Sequence, residues 1–184
     1  MKATPLATDE QDRALVERCL EHDPVAAGAL VDRYQQRLFN VALRMLGNVQ
    51  DAEDVTQTVF LNAFHRLRTY DPRYKFFSWI YRMTVNESLN MLKRRKPTVP
   101  LEDDLDILVP GGGAAADRAE AEDRVGRALL ALKPEDRAVV VLRHFVSFSY
   151  QEIAAVLEIP VQTVKSRLFT ARERLRLALG EGVR

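Results

Sequence analysis

Gln162, Lys165, Ser166, Phe169 and Arg172 lie about one helical turn apart, so a helix gathers them on one face, with Thr163 in its first turn and Arg167 near its edge. Polar groups early in such a helix can reach base edges in a DNA major groove, and later cations can hold phosphates. Val164, Leu168, Ala171, Leu175 and Leu179 are spaced 4, 3, 4 and 4 and form the core-facing stripe. Upstream, Ser149 and Glu152 have the spacing of a capping box, Ile153, Ala154 and Leu157 face inward, and Pro160 precedes a new helix. A short helix, a tight turn and a polar, basic second helix are what major-groove reading requires. The candidate duplex contacts are therefore Ser149, Gln162, Thr163, Lys165, Ser166, Arg167, Phe169 and Arg172. The other reading of these residues is a plain helical hairpin with a solvated basic face.

A second set suits unpaired nucleic acid. Tyr70, Tyr74, Phe76, Phe77, Trp79 and Tyr81 place six aromatic residues within twelve, and Arg68, Arg73, Lys75, Arg82 and the run Lys93, Arg94, Arg95 and Lys96 interleave with or follow them. Aromatic faces can stack on bases, at about 1–3 kcal/mol each, while cations hold the phosphates. Phe77, Ile80, Thr84, Leu89 and Leu92 fit a buried stripe of the same helix, Trp79 is expected to pack rather than stack, and the terminal basic run also suits a solvated helix end.

The third set is acidic. Asp51, Glu53 and Asp54 open a helix whose Ala52, Val55, Val59, Ala63 and Leu67 form one buried stripe. Glu53, Asp54 and Gln57 share another face, which continues into Phe60 and Leu61. Acids in a first turn are favourable helix starters, and that accounts for them alone. An acidic face running into exposed apolar residues also suits a basic helical partner.

These sets must sit on helices. No useful length of the chain alternates as a strand does, and both flanks of a Pro- and Gly-rich stretch read as helical. The expected fold is all-α, with two small helical domains at residues 1–96 and 118–184 joined by a flexible acidic linker at 97–117. Thr8 and Gln11 could box the first helix. Asp23-Pro24 reads as the start of the second and Gly47 as its end, Asn48 caps the third, and the fourth runs from about Phe76 to Lys96. In the second domain, helices are expected from about Asp117, Pro134, Ser149 and Val161.

The 184 residues carry a net charge of +1 that hides +3 over 1–100, −7 over 101–123 and +5 over 124–184. There is no apolar run long enough for a membrane span, and the first twenty residues have no apolar signal segment, so a cytoplasmic protein without membrane insertion is expected. One cysteine, Cys19, excludes an intrachain disulfide and a cysteine-based zinc site. His22, His65 and His144 are widely separated and no phosphate-binding Gly-rich loop occurs, so neither an enzyme, a metal nor a cofactor is expected.

Three segments, "DAEDVTQTVFLNAF", "FFSWIYRMTVN" with the following "KRRK", and "YQEIAAVLEIPVQTVKSRLFTARERL", occur in that order, and together they resemble the bacterial extracytoplasmic-function (group 4) sigma factors of RNA polymerase. The resemblance covers residues 10–97 and 117–179. It implies an alternative sigma factor that binds core polymerase and directs promoter-specific initiation. By resemblance, Asp51, Glu53, Asp54, Gln57, Phe60 and Leu61 dock on the β′ clamp helices. Tyr70, Arg73, Lys75, Trp79, Arg82, Asn86, Lys93, Arg94 and Arg95 melt and read the −10 element. The helix beginning near Val161 reads the −35 element, and an anti-sigma factor is the implied regulator. Glu158 departs from the family pattern, standing at a turn position where glycine is common and positive φ is easier. Gln162 and Asn90 are smaller departures. The rival reading is a stand-alone helix-turn-helix transcriptional regulator, which leaves the acidic face and the aromatic helix unexplained.

Overall fold

The computed structural model describes residues 9–94 and 114–180, and every element among them is helical. The suggested cap at Thr8, the cations Arg95 and Lys96 and the linker stretch 97–113 lie outside the described residues.

The first half holds α1 (Asp9–Leu20), α2 (Pro24–Leu46), α3 (Val49–His65), a single 3-10 turn at Leu67–Thr69, and α4 (Phe76–Arg94). Local chemistry sets the boundaries. Asp23 Oδ1 accepts from the Val25 and Ala26 amides at 2.8 and 3.3 Å, while Arg18 grips its other oxygen at 2.6 Å. That guanidinium, with the two amides, holds the Asp23 carboxyl below its usual range. Pro24 then supplies the first helical φ of α2. At the other end Gly47 takes φ 71° and returns its amide to Leu43 O, and a Cβ there would come within 2.5 Å of Leu130 Cδ1. Asn48 caps α3 through the Asp51 amide at 3.0 Å.

Helix α2 is the spine of the fold. Ala26, Leu30, Tyr34, Leu38, Val41, Ala42 and Met45 are buried along it, and α1, α3 and α4 pack against it. The expected stripe of α3, from Ala52 to Leu67, is buried throughout.

The second half holds α5 (Ala114–Leu130), α6 (Pro134–His144), α7 (Tyr150–Leu157) and α8 (Val161–Gly180). Helix α5 opens at Ala114, ahead of the expected Asp117, because Ala114–Ala116 are strong helix formers. Helix α6 is buried from Arg137 through Leu142, so it forms the centre of this half. No helix of the described residues is long and apolar enough to cross a membrane.

The two halves share one core. Helices α5 and α6 pack on α2, and α6 and α7 pack on α4. The Arg44 guanidinium lies 4.1 Å from the Phe145 ring centre, and Arg137 donates to Met45 O across the junction.

Candidate nucleic-acid and partner interfaces

The helix-turn-helix is built as its sequence specifies. Ser149 and Glu152 form the full capping box: the Glu152 amide donates to Ser149 Oγ at 3.2 Å, and the Ser149 amide donates to Glu152 Oε2 at 2.9 Å. Helix α7 ends at Glu158, whose φ of 54° places a side-chain-bearing residue in the left-handed region that suits glycine. Val164, Leu168 and Ala171 bury one side of α8.

The opposite side of α8 is open. Gln162, Lys165, Ser166 and Arg172 are exposed, Thr163 and Arg167 are half-buried, and the Phe169 ring is 71% exposed. Lys165 and Arg172 make no ion pair among the described residues, so their charges face solvent. Arg174 and Arg176 are tied instead to Asp136 and Glu173. Ser149 is half-buried in its capping box, so its hydroxyl is committed to the helix start. His144 is exposed, and partial desolvation with the charges of Arg172 and Arg143 holds its pKa below the usual value.

The α4 set is more occupied than its sequence suggests. The Tyr70 ring is buried against Phe76 and Trp79, and its hydroxyl donates to Tyr74 O, so Tyr70 props the preceding loop rather than presenting an open stacking face. Trp79 is half-buried between Tyr70 and Phe76, packed rather than stacked as expected. The aromatic that stands out is Tyr74, 64% exposed between Arg73 and Lys75. Its place after Pro72, in a segment that cannot continue a helix, was the sequence signal for exposure.

The cations of this set are largely paired. Arg73 forks Asp71, raising its own pKa and lowering that of the carboxylate. Arg94 holds Glu87, Lys75 faces Glu152 at 3.6 Å, and Arg82 holds Glu158 at 2.7 Å. Asn86 and Lys93 are exposed.

The acidic face of α3 borders a groove of about 640 Å³ between α2 and α3. Glu53, Gln57, Phe60, Leu61 and Phe64 line one wall, and Gln35, Gln36 and Phe39 the other. Leu61 is 66% exposed. Phe60 differs from expectation: it is 9% exposed and stacked on Phe64, because it lies one helical turn from both the buried Thr56 and Phe64 along the groove. Asp54 is exposed beside the groove, whereas Asp51 is half-buried in the first turn. The apolar residues of the α2 wall, Val31 and Phe39, are partly buried against the core, and nothing in the sequence analysis set them apart from it.

Cys19 is half-buried, and burial raises its thiol pKa, which disfavours a reactive thiolate. Among the described residues no group of His, Cys, Asp or Glu could hold a metal ion.

Comparison with known proteins follows the same division. Residues 30–98 match the Sigma-70 region 2 family and residues 122–175 the Sigma-70 region 4 family. The RNA polymerase sigma-H factor of Pseudomonas aeruginosa is 33% identical, covering 95% of this chain and 96% of its own. The ECF RNA polymerase sigma factor SigW of Bacillus subtilis is 30% identical, covering 89% and 94%. The solved structure of CnrH in complex with the cytosolic domain of CnrY aligns with a TM-score of 0.74 at 28% identity, over 94% of this chain and 99% of that one.

Proposed function

The chain belongs to the extracytoplasmic-function sigma factors of RNA polymerase, and from that premise we propose how its surfaces divide the work of promoter-specific initiation. Residues 1–96 dock on core polymerase and engage the −10 element, and residues 118–184 engage the −35 element. The observation that carries this reading is the presence, in one chain, of an acid-rimmed apolar groove on α2 and α3 and an exposed basic face on α8.

Glu53, Asp54, Gln57 and Leu61 are the docking surface, with Asp51 and the buried Phe60 shaping it from the first turn and the groove floor. An apolar groove with carboxylates on its rim fits a basic amphipathic helix, here the β′ clamp helices of the polymerase. Tyr74, Lys75, Arg82, Asn86 and Lys93 are the single-strand surface of α4 and the loop before it, and Tyr70, Arg73 and Trp79 hold its shape. On α8, Gln162, Thr163 and Ser166 face base edges, Lys165, Arg167 and Arg172 hold phosphates, and Phe169 offers an apolar contact. Each DNA surface alone is modest, and docking on polymerase raises the effective concentration of both. The work is binding rather than catalysis, and it is done in the cytoplasm, where promoters are. An anti-sigma factor is the proposed regulator, consistent with the capture of CnrH with a second polypeptide.

The deciding experiment is a pull-down on bacterial core polymerase with transcription from a genomic promoter library. Reversing two rim charges, Glu53→Lys with Asp54→Lys, is expected to weaken core binding about 10- to 100-fold and to abolish specific initiation in proportion. A wild-type chain that ignores polymerase yet shifts duplex DNA would overturn this reading in favour of a stand-alone regulator. For α8, Lys165→Ala with Arg172→Ala is expected to lower duplex affinity and flatten the slope of log affinity against log salt by about 1.8, the value for two lost phosphate contacts. Salt-titrated fluorescence anisotropy measures both.

A further inference from the structure

Phe148, Glu152 and Glu158 sit on the entry loop, the first helix and the turn of the helix-turn-helix, and all three reach the α4 surface. The Phe148 ring is 0% exposed, with its centre 5.1 Å from that of Phe77 and 5.0 Å from that of Tyr81. Glu152 lies 3.6 Å from Lys75 Nζ. Glu158 accepts from Arg82 Nη1 at 2.7 Å, and Arg82 Nη2 donates to Ala155 O at 2.6 Å. The Lys75 ammonium also sits 5.2 Å from the Phe77 ring centre.

An aromatic ring lodged among aromatic rings, with carboxylates on the flanking cations, supplies what a single strand of DNA supplies: a base and its phosphates. We infer that the edge formed by Phe148, Glu152 and Glu158 is an internal stand-in for single-stranded DNA, which covers the Lys75, Phe77 and Arg82 part of the surface, and leaves Tyr74, Asn86 and Lys93 open, until the two halves of the chain separate. The inference rests on the reading of α4 as the −10 surface. The cover is selective, because the outward face of α8 remains exposed. Glu158 fits this role. It holds a positive φ that glycine would adopt without strain, and its carboxylate is spent on Arg82 rather than on its own helix. Both ion pairs are partly exposed, so salt loosens the cover.

The test uses the full chain as wild type, Phe148→Ser, Glu158→Gln and Glu158→Gly. The probes are a fluorescent mixed-sequence single strand of about 20 nucleotides and the duplex of the same sequence. Small-angle scattering reads closure, and a closed chain of this length has a radius of gyration of about 16 Å. Phe148→Ser is expected to enlarge that radius and to raise single-strand affinity about tenfold or more, since it removes the buried anchor. The Glu158 variants are expected to raise it about two- to fivefold, the worth of one partly exposed ion pair. Duplex affinity stays within about twofold of wild type. Glu158→Gly also relieves the positive φ, so its gain cannot come from a damaged turn.

Opened variants that bind the strand no tighter than a strand-binding wild type overturn the mimicry while the α4 assignment stands. Opened variants that bind no strand at all overturn that assignment and the inference with it. If no variant changes strand affinity or radius, the contact covers nothing and the inference fails. Should Phe148→Ser not fold, the two Glu158 variants decide.

Discussion

Replacing Arg137 with Ala is expected to destabilise the chain by about 4 kcal/mol, the largest effect of any single polar substitution proposed for this chain. Arg137 is buried on α6 and, among the described residues, has no carboxylate partner. Its guanidinium donates through one nitrogen to Met45 O, at the end of α2, and through the other to Leu130 O and Leu132 O at 2.6 and 3.1 Å. These carbonyls lie at or just beyond the ends of α2 and α5, where a helix leaves its last carbonyls unpaired and a cation is favoured. Burial without a counter-charge lowers the Arg137 pKa to about 10, so the group is still charged at neutral pH. Truncation strands three carbonyls and opens a cavity at once. Arg137→Lys should recover only part of the loss, because an ammonium on a flexible stem cannot reproduce the planar fork. Urea unfolding with an unchanged m-value measures the loss. A change under about 1 kcal/mol for Arg137→Ala would show that water replaces the guanidinium without cost.

The second expected result is a loss of about 3 kcal/mol for Asp12→Ala. Asp12 is fully buried on α1. It accepts from the Tyr34 hydroxyl at 2.5 Å and from Arg33 Nη1 at 2.7 Å, both on α2. Burial and this carboxylate push the Tyr34 hydroxyl pKa far above its usual value, so it stays a donor across the working range. Removing the carboxylate leaves a hydroxyl buried without an acceptor and the Arg33 guanidinium with only the Gln11 amide oxygen. Asp12→Asn keeps one acceptor for Tyr34 and should cost about half as much. Thermal and urea unfolding measure both variants. Their core polymerase binding, once folded, should match wild type, since α1 borders neither the groove nor α8.

The sequence by itself determined where the helices are and which face of each is buried. The Asp23, Asn48 and Ser149 caps, Pro24, Pro134 and Gly47 act on residues no more than four or five positions away. The stripes of α3 and α8 likewise obey a period that can be counted. The helix-turn-helix and the acidic face of α3 were legible for the same reason, whereas the left-handed turn at Glu158, where the family resemblance led one to look for glycine, was not. Tertiary structure alone decided which of those exposed-face groups are free. Arg82 meets Glu158 76 residues away, and Arg137 meets Met45 92 residues away. Lys75 finds its partner on α7 and Phe77 in the loop that precedes it, both beyond the linker. Periodicity carries no information about such pairs, because a helix face specifies only that something covers it. The identity of the cover depends on how the helices fit together: packing within the first half turned Phe60 into groove lining and Tyr70 into a loop prop, and the fit of the two halves turned Phe148 into an anchor.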